Sequence, residues 1–179
     1  MTNAQLNQDL PIEPMQIALA NAQGFKPFSF FEYDVVSRLG DHSAEYPYAR
    51  TIIVRTQRLE DVAEQFRLPP PDFVKIDVEG FEVEVLRGME NLLKTKRPAQ
   101  LIETHIVEEN GTEIDIGDRV ETFLNSLGYR CAFIQNAIPR QVLCNWDNAN
   151  QQQYPNVTVV KCREERFNRT HNALKEGDR

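Results

Sequence analysis

Apolar residues fall in short runs along the chain, and the period of those runs changes from place to place. Gln16–Asn21 is apolar and closed by Gln23 and Gly24, which predicts a strand or the end of one. Phe28–Tyr33 is aromatic-rich and fits a β segment, and Thr51–Arg55 is a β-branched run and hence a strand. Ser37–Ala49 reads as loop. Leu59, Val62, Ala63 and Phe66 then recur at helical spacing, and Pro69–Pro71 stop the helix. Phe73–Ile76 is a strand that passes through Asp77–Gly80 into an amphipathic segment. There Val83, Val85, Leu86, Met89, Leu92 and Leu93 share one face, predicting one long helix that ends in the basic run before Pro98. Gln100–His105 returns as a strand, so the middle of the chain is a βαβ unit with parallel pairing and a right-handed crossover.

Asn110-Gly111 is a turn, a helix is expected from about Asp118 to Leu127 with Gly128 just past its end, and Tyr129–Ile134 is a strand. Residues 141–155 read as polar loop around Trp146, and Val157–Val160 as a last short strand, antiparallel at or near an edge. The sum is an α/β fold, an open doubly wound sheet that is mostly parallel. One domain accounts for the 179 residues: a polar segment over 1–15, the α/β domain over 16–163, and a charged tail over 164–179 that is expected to fray.

Charge narrows the partners. With 27 acidic against 20 basic residues and no basic stripe, a nucleic-acid backbone is a poor partner. The apolar runs fall short of the roughly 20 residues a membrane span needs. The polar start carries no secretory signal, so a cytoplasmic protein is expected. Cys131, Cys144 and Cys162 match no zinc spacing and are expected to be reduced thiols.

Ligands of parallel sheets bind beyond the carboxyl ends of the strands. Asp77 and Glu79 follow the first strand of the βαβ unit, and Glu103 and His105 close the second. Three carboxylates and an imidazole on one rim suit a divalent cation, or a general base for a hydroxyl group. Each has a plainer role as well: Asp77 as a helix cap, Glu79 as a charge at the helix's positive end, His105 as a hydrogen-bonded structural residue. His42 is equally a turn residue or a site residue, His171 lies in the tail, and Lys94–Arg97 reads as a solvated helix end.

The string from Lys75 to Gly88, KIDVEGFEVEVLRG, resembles the hallmark of the FkbM-type S-adenosylmethionine-dependent methyltransferases, K-I-D-V-E-G-x-E-x-x-V-L-x-G. Ile17–Gly24 resembles the family strand before its small-residue turn, and Asp34–Gly40 its serine-containing loop. Val54–Asp61 resembles its V-x-T-x-x-L-D-D helix entry, with Glu60 in place of Asp, and Pro98–His105 its P-x-x-x-x-E-x-H strand. The likeness spans about residues 16–134. It implies a class I methyltransferase (Rossmann-like) sheet lacking its leading strands, because the glycine-rich D-x-G-A-N-x-G turn has no counterpart in this chain. Only the carboxyl-terminal two-thirds of the family domain is matched, and a strand edge left open at Phe73 is expected to promote self-association into a homo-oligomer.

The resemblance further implies methyl transfer from S-adenosylmethionine to a hydroxyl of a small molecule or sugar. Asp77 or His105 would accept the proton, and Glu79 and Glu103 would place the acceptor. Asp77 and Glu103 would also hold an optional divalent cation such as Mg, and Asn21 and Ser37 fall on the cofactor side. Two other readings stand beside it: a non-catalytic, methyltransferase-like interaction module, and a metal-dependent hydrolase. The hydrolase is disfavoured because Lys75 is the one basic residue at the site.

Overall fold

The computed structural model describes residues 12–30, 37–40, 50–109, 111–134 and 140–146. The strand expected at 157–160, the tail, His42 and Cys162 lie outside the described residues. The first sheet contains β1 (Ala18–Leu19), β2 (Gly24–Phe30), β3 (Arg38–Leu39) and β4 (Arg50–Gln57), in the order β1-β4-β2-β3. The second contains β5 (Phe73–Ile76), β6 (Ala99–Thr104), β9 (Tyr129–Phe133) and β10 (Arg140–Trp146), in the order β5-β6-β10-β9. A two-stranded hairpin, β7 (Ile106–Glu109) and β8 (Thr112–Asp115), projects between β6 and the helix that follows.

The expected mostly parallel, doubly wound sheet is corrected to a mixed one. Among the described strands, β1–β4 and β5–β6 pair parallel, while β2–β3, β2–β4, β6–β10, β9–β10 and β7–β8 pair antiparallel. In the first sheet the cause is β2; in the second it is β10, which the sequence pattern assigned to a polar loop. Its Val142, Leu143 and Cys144 are buried, and it is inserted between β6 and β9 rather than placed at an edge. Its apolar core is only three residues long with polar neighbours, too brief for periodicity to register. Among the described strands, β5 is the outermost of the second sheet, with half-exposed Phe73 on it.

Four helices complete the described chain: α1 (Leu59–Phe66), α2 (Glu82–Arg87), α3 (Glu90–Thr95) and α4 (Ile116–Ser126). None of them is long and apolar enough to cross a membrane. The single long helix expected after Gly80 is in fact the pair α2 and α3, broken at Gly88 and Met89. Its apolar stripe survives the break. Val83, Val85, Leu86, Met89, Leu92 and Leu93 pack with Ile76 and Ile102 of the sheet, Val142 of β10, and Ile116, Val120 and Leu124 of α4.

Two contacts explain the break. A Cβ on Gly88 would stand 2.1 Å from the backbone oxygen of Ala20, so only glycine lets the end of β1 reach the helix pair. Glu60 of α1 then accepts the backbone N–H groups of Asn91 (2.6 Å) and Leu92 (3.1 Å), capping α3 from another helix. Glu60 thus has a definite structural task, satisfying donors that a helix end leaves bare.

Further expectations on this side of the molecule are revised. Residues 94–97 are exposed, as expected of a solvated helix end, but the Arg97 guanidinium also lies 4.0 Å from the centre of the Trp146 ring, which in turn meets Tyr129 edge-on. Cys131 and Cys144 are not free thiols. The β9–β10 register sets them opposite each other with Cα atoms 4.1 Å apart, and they form a disulfide. Cysteine usage therefore no longer argues for a reducing compartment. Placement of α4 agrees more closely with its sequence: Asp115 caps it by accepting the Gly117 N–H at 2.7 Å, and Gly128 follows its end at φ 89°.

Replacing Gly88 by Ala should destabilise the fold by about 1–3 kcal/mol, the usual scale of overpacking. Urea unfolding measures this directly, and a loss under about 0.5 kcal/mol would mean that the approach of Ala20 is not tight.

Candidate active site

Parallel pairing of β5 with β6, in register from Phe73 opposite Ala99 to Ile76 opposite Ile102, brings both carboxyl ends to one rim. Asp77 follows β5 directly, Glu103 is the last residue but one of β6, and His105 is the first residue beyond that strand. One ligand atom each from Asp77, Glu103 and His105 lies within 4.8 Å of the others. Lys75 donates to Asp77 Oδ2 at 3.0 Å, and Gln141 of β10 donates to Glu103 Oε2 at 3.2 Å. The four residues expected to gather therefore do so, with Glu79 joining through the His105 ring.

Between β5 and α2 the chain makes a tight turn. Glu79 and Gly80 are both left-handed, at φ 52° and 101°, an uncommon conformation for a residue with a side chain. A Cβ on Gly80 would meet Val107 Cγ1 of β7 at 2.6 Å, so the hairpin closes over the turn. This geometry removes the capping alternative for Asp77. α2 starts five residues later, at Glu82, with Phe81 at its N-cap and no side-chain cap. Asp77 belongs to the rim, not to the helix. Glu79 likewise points to the imidazole, with Oε2 3.3 Å from His105 Nε2.

The other side of the imidazole meets a residue that sequence reasoning did not single out. Glu82 has a side chain with 0% exposure, and its Oε1 lies 2.7 Å from His105 Nδ1. The same oxygen accepts the Gly80 N–H at 3.0 Å, while Oε2 has no partner among the described residues. Glu82 is the second glutamate of the Lys75–Gly88 string; what hid it is that a glutamate beside an apolar stripe reads as a solvated position on a helix. The His105 carbonyl is fixed as well, accepting the Ile116 N–H at 3.0 Å from the start of α4.

Electrostatics follow from this enclosure. The hydrogen bond with Glu82 pushes the His105 pKa above its ordinary value; burial opposes this, and the nearby charges of Glu82, Glu79 and Asp77 add to the rise. Burial raises Glu79 too, countered by the imidazole and reinforced by Asp77, Glu82 and Glu103. Asn21 sits exposed in the bend after β1 and Ser37 half-buried before β3, and no hydrogen bond among the described residues joins either to this cluster.

A histidine whose pKa is raised by folding stabilises the fold fully below its ordinary value of 6.5, and that contribution is lost as the pH rises through the higher folded value. Glu79, also raised, acts in the same direction from a lower pH. Unfolding free energy should therefore fall over the pH interval just above the ordinary imidazole value of 6.5, and His105→Gln should flatten that fall. A wild-type stability that rises across the interval would contradict an imidazole enclosed by Glu79, Glu82 and Asp77.

Comparison with known proteins agrees with the likeness read from Lys75–Gly88. "Hexuronic acid methyltransferase AglP" of Haloferax volcanii is 33% identical over 82 residues, which cover 46% of this chain and 32% of that protein. The match thus spans about a third of the relative's length. No solved structure matches the chain. The family model described as the methyltransferase FkbM domain matches residues 1–131, most of the described α/β framework, and the chain belongs to that family.

Proposed function

We propose that the rim formed by β5 and β6 is the acceptor side of an S-adenosylmethionine-dependent methyltransferase that modifies a hydroxyl of a small molecule or sugar. The observation that carries this reading is the His105 imidazole, held between Glu79 and Glu82 and adjoining Asp77 and Glu103. A hydroxyl must lose its proton as its oxygen is methylated, and a fixed imidazole at a strand end can take it. His105 is favoured over Asp77 as proton acceptor, because Asp77 is already paired with Lys75. Asp77, Glu79 and Glu103 then orient the acceptor through its other hydroxyls.

Charge argues for a hydroxyl over a carboxylate as the acceptor. A hexuronic acid, the substrate class in the relative's name, presents both. A carboxylate is already ionised, needs no base, and would meet three like charges at this rim. A neutral hydroxyl finds a base and hydrogen-bond acceptors. Asp77 and Glu103 also suit a hard divalent cation such as Mg, which would lower the hydroxyl's pKa and leave His105 for the proton.

S-adenosylmethionine supplies the methyl group in this reading, as the family implies. The described residues do not fit a cradle for its nucleoside. Of the four left-handed glycines among the described residues, Gly40, Gly80 and Gly128 have their N–H groups taken by Pro27, Glu82 and Asn125, and Gly111 lies in the β7–β8 turn, not at the end of a parallel strand. No step is therefore assigned through the cofactor, and Asn21 and Ser37 are the residues proposed for its side.

Calorimetric titration of S-adenosylmethionine, followed by transfer of a labelled methyl group to a panel of sugars and uronic acids, tests the reading. Hydroxyl products are expected. His105→Gln should lower turnover by about 10²-fold, and Asp77→Asn should also slow it while costing under about 1 kcal/mol of stability. Methyl ester products alone, or an undiminished rate for His105→Gln, would overturn the assignment. Absence of cofactor binding would favour a non-catalytic module.

A further inference from the structure

We infer that Glu82 is the positioning residue of this site, holding His105 in the tautomer that carries its proton on Nδ1 and turning Nε2 to the rim. The inference rests on the proton-accepting role proposed for His105. Its starting point is a carboxylate with no exposure, set in α2 between Phe81 and Val83 and bordering the apolar core. Burial of such a group is costly unless it is partnered, and an apolar residue of similar volume would pack there without that cost. Both partners of Glu82 belong to the rim: the Gly80 N–H and the His105 ring.

The hydrogen bonds fix the tautomer. Glu82 Oε1 accepts from Gly80 N, and an ionised carboxylate only accepts. Nδ1, at 2.7 Å from the same oxygen, must therefore be the donor. In the neutral ring Nε2 then keeps its lone pair, 3.3 Å from Glu79 Oε2 at the rim. Val107 leaves no room for a side chain at Gly80, and the His105 carbonyl is tied to α4 by the Ile116 N–H. When Nε2 takes the acceptor's proton, the O–H electron pair stays on the acceptor oxygen and the ring becomes an imidazolium. Glu82, out of water and already aligned, then faces that charge with no reorganisation.

The substitution Glu82→Gln separates charge from geometry. The Gly80 N–H requires an oxygen at the Oε1 position, so the amide carbonyl of this variant still accepts from Nδ1–H and keeps the tautomer, while the charge is lost. Glu82→Met removes the acceptor altogether. Protein labelled with ¹⁵N at histidine, held about two pH units above the ordinary imidazole value, reports the tautomer by nitrogen NMR, with His105→Gln giving the assignment. The wild type should show a protonated Nδ1 and a bare Nε2. Glu82→Gln should keep that pattern and lower kcat by about 10²-fold with the acceptor KM within about twofold. Glu82→Met should shift the proton to Nε2.

A wild-type proton on Nε2 alone would overturn the inference, with no variant required. An unchanged kcat in Glu82→Gln, measured where His105→Gln is impaired, would do the same. If the tautomer is as expected but His105→Gln leaves methyl transfer intact, the proposed chemistry fails while the placement of His105 by Glu82 stands.

Discussion

Parallel pairing between β5 and β6 is the constraint on which the rest of the structure depends. Parallel neighbours cannot be joined by a tight turn, so the chain must leave the sheet, cross over it and return. That crossover is α2 and α3, and its apolar stripe is the main cover of the sheet. The same geometry forces both strands to end on one side. Asp77, Glu103 and His105 meet there because Ile76 and Ile102 are register partners, not because any attraction between acidic groups assembles them.

Packing on the crossover shows how local irregularity supports a rim. A continuous helix would satisfy its own backbone through Gly88, but it would hold the end of β1 away. The break admits Ala20, and Glu60 from α1 replaces the hydrogen bonds that α3 lacks at its start. One glycine and one carboxylate thereby join the first sheet to the core of the second. The disulfide and the Tyr129–Trp146–Arg97 stack fasten the side where β10 enters between β6 and β9. Neither fastening involves a residue of the rim.

At the rim the dominant physical fact is an imidazole placed among carboxylates in partial burial. Ordinarily a buried histidine is neutral, since desolvation disfavours its charge. Here the hydrogen bond with Glu82, joined by the charges around the ring, outweighs that cost, and the direction reverses. The left-handed Glu79 is consistent with this, as a residue held in a costly conformation at the point where it meets the ring. Glu82 supplies the second carboxylate from beneath, where water does not compete for it.

Much of this was legible in the residues. Helical spacing located α1 and the apolar stripe of the crossover, β-branched and apolar runs located β4, β5 and β6, and the Lys75–Gly88 string marked the family. Asp77, Glu79, Glu103 and His105 could be assigned to one rim, because strand ends in a βαβ unit are set by local sequence and a fixed handedness. Tertiary structure alone decided the rest. β10 has too short an apolar centre to be seen as a strand until β6 and β9 flank it, and Cys131 finds Cys144 only through their shared register. The helix break at Gly88 depends on Ala20, far earlier in the chain. Glu82 looked like one more polar residue on a helix; its meaning depends on which face of α2 is covered and on the ring that the return strand brings to it. Periodicity reports what a segment prefers by itself, whereas pairing, close approach and burial of charge depend on residues distant in sequence, and those only the folded chain brings together.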